Sequence, residues 1–348
     1  MSLKKIAQMT GTSISTVSRV LNNTSSSCAS QEVKDKIWAA AQQIQYVPNS
    51  SAKALKKGAS VQSIPQYSFY IVLGRISNLN DDPFFYELYR CLQNHIFKNS
   101  YVIAGTLTLQ DKLPPIQANQ GFIILGRCPL EYVQTLKKKT KNIIGIWRNA
   151  SSYEIDEILC DGEKAAHMAV EYLLEHHHTS IAYIGDCSYE SRYVGYCRAL
   201  MEHHIPFNHS IIFSTDQTKE SGFHAANQLF QSIKKEQEHP CATALLCAND
   251  ITAIGVLDAL KTYPKKLREQ FAIISIDDID ESGTTKPMLT TIHIPRNEMA
   301  HMALKILTDR ISGYHLETLR VEFPPRLIVR DSCPPNLKEK NYLNSKGI

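Results

Sequence analysis

Apolar residues over the first 45 positions recur every three or four residues, whereas beyond position 67 they gather into short continuous runs. In the head, Leu3, Ile6, Ala7 and Thr10 keep helical spacing as far as Gly11, a residue that suits a left-handed break. Ser13 offers a hydroxyl cap to a second helix, Ile14 to Asn22, which turns Val17, Val20 and Leu21 inward. After the polar stretch 22–27, Ser30 caps a third helix carrying Val33, Ile37, Ala40, Ala41 and Ile44, and Pro48 closes the unit. A short piece, 49–57, ends at Gly58, and 59–65 reads as a linker.

From Tyr67 onward, strand-length apolar runs fall at 69–73, 101–104, 121–125, 142–147, 181–185, 211–213, 244–247 and 272–276. Amphipathic helical stretches separate them near 84–97, 130–139, 163–176, 191–203, 220–235 and 251–261. Strands apolar on both faces, alternating with helices, predict parallel sheets of the doubly wound kind. The tract is too long for one such sheet, so two units in series are expected. Sheets of this kind take ligands at the carboxyl ends of their strands, and two of them facing each other would make a cleft.

Charge sharpens the division. The chain of 348 residues carries a net +4, but residues 1–60 hold eight Lys and Arg against two acids, leaving 30 basic and 32 acidic residues for the rest. A basic head on a near-neutral body predicts a polyanionic partner for the head alone. The nine cysteines are scattered and form no C-x-x-C pair, so reduced thiols and a cytoplasmic location are expected. Neither a signal peptide nor a membrane-spanning run is expected.

Two short helices joined by a Gly-containing turn, then a third, are what a helix-turn-helix needs. Its second helix enters the major groove and offers Ser13, Ile14, Ser15, Thr16, Ser18, Arg19 and Asn22. Arg19 can pair bidentately with guanine, the serines can bond bases or phosphates, and Ile14 can press on a thymine methyl.

The run Ile6-Ala7, then Gly11-Thr12-Ser13-Ile14-Ser15-Thr16-Val17-Ser18-Arg19-Val20-Leu21-Asn22, resembles the N-terminal signature of the lactose-repressor family of bacterial regulators, departing at Thr10 and Thr12. Tyr46-Val47-Pro48-Asn49, Ala52, Leu55 and Gly58 are similar to that family's hinge helix. The resemblance implies that Leu55 wedges between base pairs in the minor groove, flanked by Lys53. It continues through Asp82-Pro83-Phe84-Phe85, Arg192-x-x-Gly195-Tyr196, Asn249-Asp250-x-x-Ala253-x-Gly255, Ile276-Asp277-Asp278 and Pro287-x-Leu289-Thr290-Thr291-Ile292.

The fold so implied is an N-terminal all-α helix-turn-helix domain plus an α/β periplasmic-binding-protein-like core of two doubly wound parallel-sheet subdomains. Its expected bounds are 1–46 for the head, 47–65 for hinge helix and linker, 66–160 plus 293–316 for one subdomain, 161–292 plus 317–333 for the other, and 334–348 for a tail. Effector contacts expected in the cleft are Phe84, Arg127, Trp147, Arg192, Asn249 and Asp277. Arg192 offers a fork of donors, Asp277 accepts from paired hydroxyls, and Asn249 does both, which suits a neutral sugar. Asn249 equally suits a helix cap, Asp277 a turn, and Trp147 either a stacking platform or a core position.

The implied function is a DNA-binding transcriptional repressor. It would act as a homodimer on a palindromic operator, released by a sugar, with the galactoside-responsive branch the nearest in pattern. A corepressor-dependent regulator that takes a purine or a phosphorylated sugar is the alternative, favoured if Arg127 and Arg148 both meet the ligand. No G-x-S-x-G, P-loop or G-x-G-x-x-G is present, so no catalytic residues and no cofactor are expected. Adjacent histidines in Glu175-His176-His177-His178 point apart on a helix, so no metal site is expected there, and His177 falls where the family has a helix-ending Gly.

Overall fold

Short β-branched and apolar runs become strands here because both faces of each sheet are covered by helices. A computed structural model describes residues 3–22, 29–44, 67–149, 151–188, 190–235, 242–268 and 270–333. Two compact units account for it: one comprises Met1–Trp147, Ser151–Ile158 and Arg296–Val321, the other Arg148–Ala150, Leu159–Pro295 and Glu322–Ile348.

The first unit begins with α1 (Leu3–Thr10), α2 (Ile14–Asn22) and α3 (Gln31–Gln43), packed around Ile6, Val17, Leu21, Ile37 and Ala41. Gly11 takes φ +64° between α1 and α2, and the amide of Thr12 closes on the Ala7 carbonyl at 3.0 Å, so the break falls where the sequence puts it. The remaining elements are β1 (Ser68–Leu73), α4 (Pro83–Lys98), β2 (Val102–Thr108), β3 (Gln120–Leu125), α5 (Leu130–Lys137), β4 (Ile143–Trp147) and β5 (Asp156–Leu159).

The second unit holds α6 (Gly162–Glu175), β6 (Ile181–Gly185), α7 (Ser191–Glu202), β7 (Ile212–Ser214), α8 (Lys219–Lys235), β8 (Ala244–Cys247), α9 (Asp250–Lys261), α10 (Lys265–Arg268), β9 (Ala272–Asp277) and β10 (Thr290–His293). The chain then forms α11 (Arg296–Ile311) and β11 (Arg320–Glu322) on the first unit, and β12 (Arg326–Ile328) on the second.

Among the described residues the strands make two six-stranded sheets, ordered β11-β5-β4-β3-β1-β2 and β12-β10-β9-β8-β6-β7. Each sheet starts at a central strand, steps outward once and then returns past it, the doubly wound order. Register in the first runs Phe69↔Gly121 and Leu73↔Leu125, and in the second Ile181↔Ala244 and Ile184↔Cys247, all parallel. One edge differs from the parallel expectation: β12 pairs antiparallel to β10, Thr291 opposite Ile328.

Sequence reading missed β5, β10, β11, β12, α10 and α11. The strands have three or four residues each, too few to show a period. In α11 the apolar residues Met299, Ala300, Ala303, Leu304 and Leu307 are buried while Glu298, His301 and Lys305 interrupt them, so the run looks polar. The histidine run does end a helix: His177 takes φ +64°, and the amides of His177 and His178 return to the carbonyls of Leu174 and Leu173. Among the described residues no helix is long and apolar enough to cross a membrane.

Candidate functional site

The head presents one polar edge. Ser13 caps α2, its Oγ accepting from the amide of Thr16 at 3.0 Å and lying 2.7 Å from the Ser15 hydroxyl. With Val17, Val20 and Leu21 committed to the core, the opposite edge of α2 leaves Ser13, Ile14, Ser15 and Arg19 exposed, and Thr16 and Ser18 half-buried. Ile14 is 49% exposed, unusual for so apolar a residue, and stands at the amino end of α2 where a major-groove helix meets base edges. Asn22 closes α2, but its side chain, like Lys53, Leu55 and the whole hinge and tail, lies outside the described residues.

In the second unit polar residues converge at the carboxyl ends of four neighbouring strands. Arg192 stands in the first turn of α7 after β6, Gln217 follows β7, Ala248 and Asn249 follow β8, and Asp277 ends β9. The chain order reverses between β6 and β8, and such a switch point is where an open α/β sheet leaves a crevice.

Arg192 is completely buried and its guanidinium reaches three acceptors: Glu190 Oε1 at 2.9 Å, the Ala248 carbonyl at 2.6 Å and Gln217 Oε1 at 2.7 Å. Burial works against the arginine charge, but the Glu190 carboxylate overcomes it and holds the guanidinium above its ordinary range. Asn249 does what a helix cap does, its Oδ1 accepting from the Thr252 amide at 3.0 Å, while its Nδ2 donates to the Gln217 carbonyl at 3.1 Å. Asp277 accepts from Arg148 at 2.6 Å, both side chains being nearly buried.

Backbone strain accompanies this chemistry. Asp277 has φ +136° and Asp278 φ +56°, positions that residues with a Cβ adopt only when their surroundings insist. Asp250 supplies the insistence: its carboxylate accepts from Ser275 Oγ at 2.5 Å, Thr291 Oγ1 at 2.6 Å and the Ile279 amide at 2.9 Å, tying α9 to the turn after β9. Burial pushes the Asp250 carboxyl upward, and those three donors oppose it.

Gln217 therefore joins Arg192 to Asn249, and Asp277 lies close enough for its charge to act on Arg192. The other three expected effector residues belong to the first unit. Phe84 is buried in the first turn of α4 with the Arg296 guanidinium 5.7 Å from its ring centre. Arg127 is exposed just past β3. Trp147 is buried at the end of β4, its ring folded over Gly145 and set edge-on to Tyr153, and its Nε1 has no hydrogen-bond partner. Glu190 and Asp250 were not singled out from the sequence. An acid two positions before a buried arginine is a signal only once the helix start between them is known.

Residues 2–49 match the family described as bacterial regulatory proteins, lacI family, and residues 170–333 match the periplasmic binding protein-like domain family. The HTH-type transcriptional repressor PurR of Aliivibrio salmonicida is 26% identical over 347 residues, covering 95% of this chain and 98% of the relative. PurR of Actinobacillus pleuropneumoniae serotype 3 is 27% identical over 349 residues, covering 95% and 97%. Among solved structures, a LacI family transcriptional regulator from Enterococcus faecium with bound ribose superposes with a TM-score of 0.66 at 26% identity, over 77% of this chain and 99% of that one.

Proposed function

We propose that the chain is a DNA-binding transcriptional repressor of the lacI family, acting in the cytoplasm as a homodimer that releases a palindromic operator on binding a neutral, galactoside-type sugar. Ser13, Ile14, Ser15, Thr16, Ser18, Arg19 and Asn22 read the operator, with Lys53 and Leu55 acting from the hinge. Arg192, Asn249 and Asp277 hold the sugar, and Phe84, Arg127 and Trp147 are further candidates for that role.

The observation that carries the ligand class is charge pairing. Arg192 faces Glu190 and Arg148 faces Asp277, so each of these two cations is matched by a carboxylate. A phosphorylated ligand would have to displace one of those carboxylates, whereas a polyol meets fixed donors and acceptors with no net charge to overcome. The ribose in the Enterococcus faecium relative agrees with this class. Two-fold symmetry suits the operator, because one short recognition helix makes too few contacts alone.

Fluorescence anisotropy on the operator at fixed salt, with and without a sugar panel headed by galactosides, tests the reading. Release of about 5–150-fold, the usual range of allosteric coupling, supports it. Binding that instead requires a purine or phosphorylated ligand would identify a corepressor-dependent regulator and overturn it.

A further inference from the structure

Away from the strand-end cluster, α6 and α7 lie side by side in the second unit with very little between them. A Cβ at Gly195 of α7 would collide with the Glu163 carbonyl oxygen of α6, so only glycine allows the helices this close. On their outer surface three side chains with metal-binding atoms meet, and a fourth, His203, stands against one of them. His167 and Glu171 sit one turn apart on the same face of α6, Glu202 is the last residue of α7, and His203 follows it. His167 Nε2 is 2.7 Å from Glu202 Oε2 and 3.7 Å from Glu171 Oε1, and His203 Nε2 is 2.8 Å from that same Glu171 oxygen. The donor atoms of His167, Glu171 and Glu202 all lie within 4.8 Å of one another.

We propose that His167, Glu171 and Glu202 form a site for a divalent first-row transition metal of the zinc type, bridging α6 to α7. Zinc bound tetrahedrally at roughly 2.0–2.2 Å from nitrogen and oxygen spaces its donors about 3.3–3.5 Å apart. The two separations from His167 Nε2, 2.7 Å and 3.7 Å, fall on either side of that value, and the fourth position is left to solvent. An imidazole among the ligands favours zinc, cobalt or nickel over magnesium and calcium, which prefer oxygen alone.

One contact prepares the site. Arg198 holds Glu202 by its other oxygen, Nε to Oε1 at 2.8 Å, leaving Oε2 directed at His167. Such an outer partner orients a ligating carboxylate. No short motif announces the site, because its ligands come from two helices and are brought together only by their packing.

The test is calorimetric titration of the full-length chain with Zn²⁺, paralleled by Co²⁺ for its visible ligand-field absorption. We expect one equivalent per chain in the wild type, with affinity falling at least about tenfold in His167→Ala and in Glu202→Gln. A control carrying His176→Ala and His177→Ala must retain that equivalent. Circular dichroism checks the fold of each variant, and Glu171→Gln, an independent removal of one ligand, should lower the affinity in the same way. Absence of stoichiometric uptake overturns the proposal. So does uptake unchanged in His167→Ala and Glu202→Gln, or uptake lost from the His176/His177 control.

Discussion

Arg148 donates to Asp277 at 2.6 Å, joining a residue of the short connection after β4 to the strained end of β9. Both side chains are nearly buried, at 12% and 4% exposure, and in such a setting neither charge is tolerable without the other.

Asp277→Asn should therefore leave Arg148 without its carboxylate. Breaking one partner of a buried pair typically costs about 3–5 kcal/mol, which urea unfolding would register as a lower midpoint at unchanged slope. The same variant should gain affinity for inorganic phosphate while losing affinity for neutral sugars, both read by calorimetry. A variant that kept wild-type sugar affinity would remove Asp277 from the ligand site.

Asp278, next in the chain, gives a pH prediction. Burial alone would raise its carboxyl, but hydrogen bonds from His293 and Arg330 outweigh burial and set it at about 2, below the ordinary 3.8. A depressed carboxyl stabilises the fold above its unfolded value and loses that contribution as pH falls through the folded value. Roughly 1–2 kcal/mol should thus disappear between about pH 4 and pH 2, after allowing for partial solvent screening. In Asp278→Asn that portion of the acid-induced loss should be absent when urea unfolding is compared at pH 5 and pH 2.5.

Gly255 in α9 faces the Lys219 carbonyl of α8 so closely that a Cβ would overlap it, and Gly222 of α8 meets the Thr252 carbonyl in the same way. Gly255→Ala should force the two helices apart at a cost of about 1–3 kcal/mol. Gly283, with open space around its missing Cβ, provides the control: Gly283→Ala should leave the thermal midpoint nearly unchanged.

On the head, Arg19→Ala should weaken specific operator binding by about 1–3 kcal/mol while leaving non-specific DNA binding almost intact. Ser13→Ala removes the cap on α2 and should lower the stability of the head by about 1 kcal/mol, visible as reduced helicity on heating. Equal losses on specific and random duplexes in Arg19→Ala would show a phosphate contact instead of base readout.

Much of this protein was written locally. The three head helices, the turn at Gly11, the cap at Ser13 and the central strands of both sheets follow from period, cap and breaker residues, because each depends on neighbours within a few positions. Asn249 of the family's N-D-x-x-A-x-G block is a feature of the same local kind, a helix cap, whereas Gly255 of that block answers to the crossing of α9 with α8. Tertiary structure alone decided the rest. Edge strands of three or four residues exist only through their partners, as β12 does beside β10. The charge state of the strand-end cluster depended on which carboxylate each arginine would meet, and Arg148 finds Asp277 from 129 residues away. The meeting of His167 with Glu202 depends likewise on how α6 packs on α7. Local sequence sets the backbone's preferences within a turn or two, but the pairing of buried charges is settled by which helices and strand ends the packed sheet brings together.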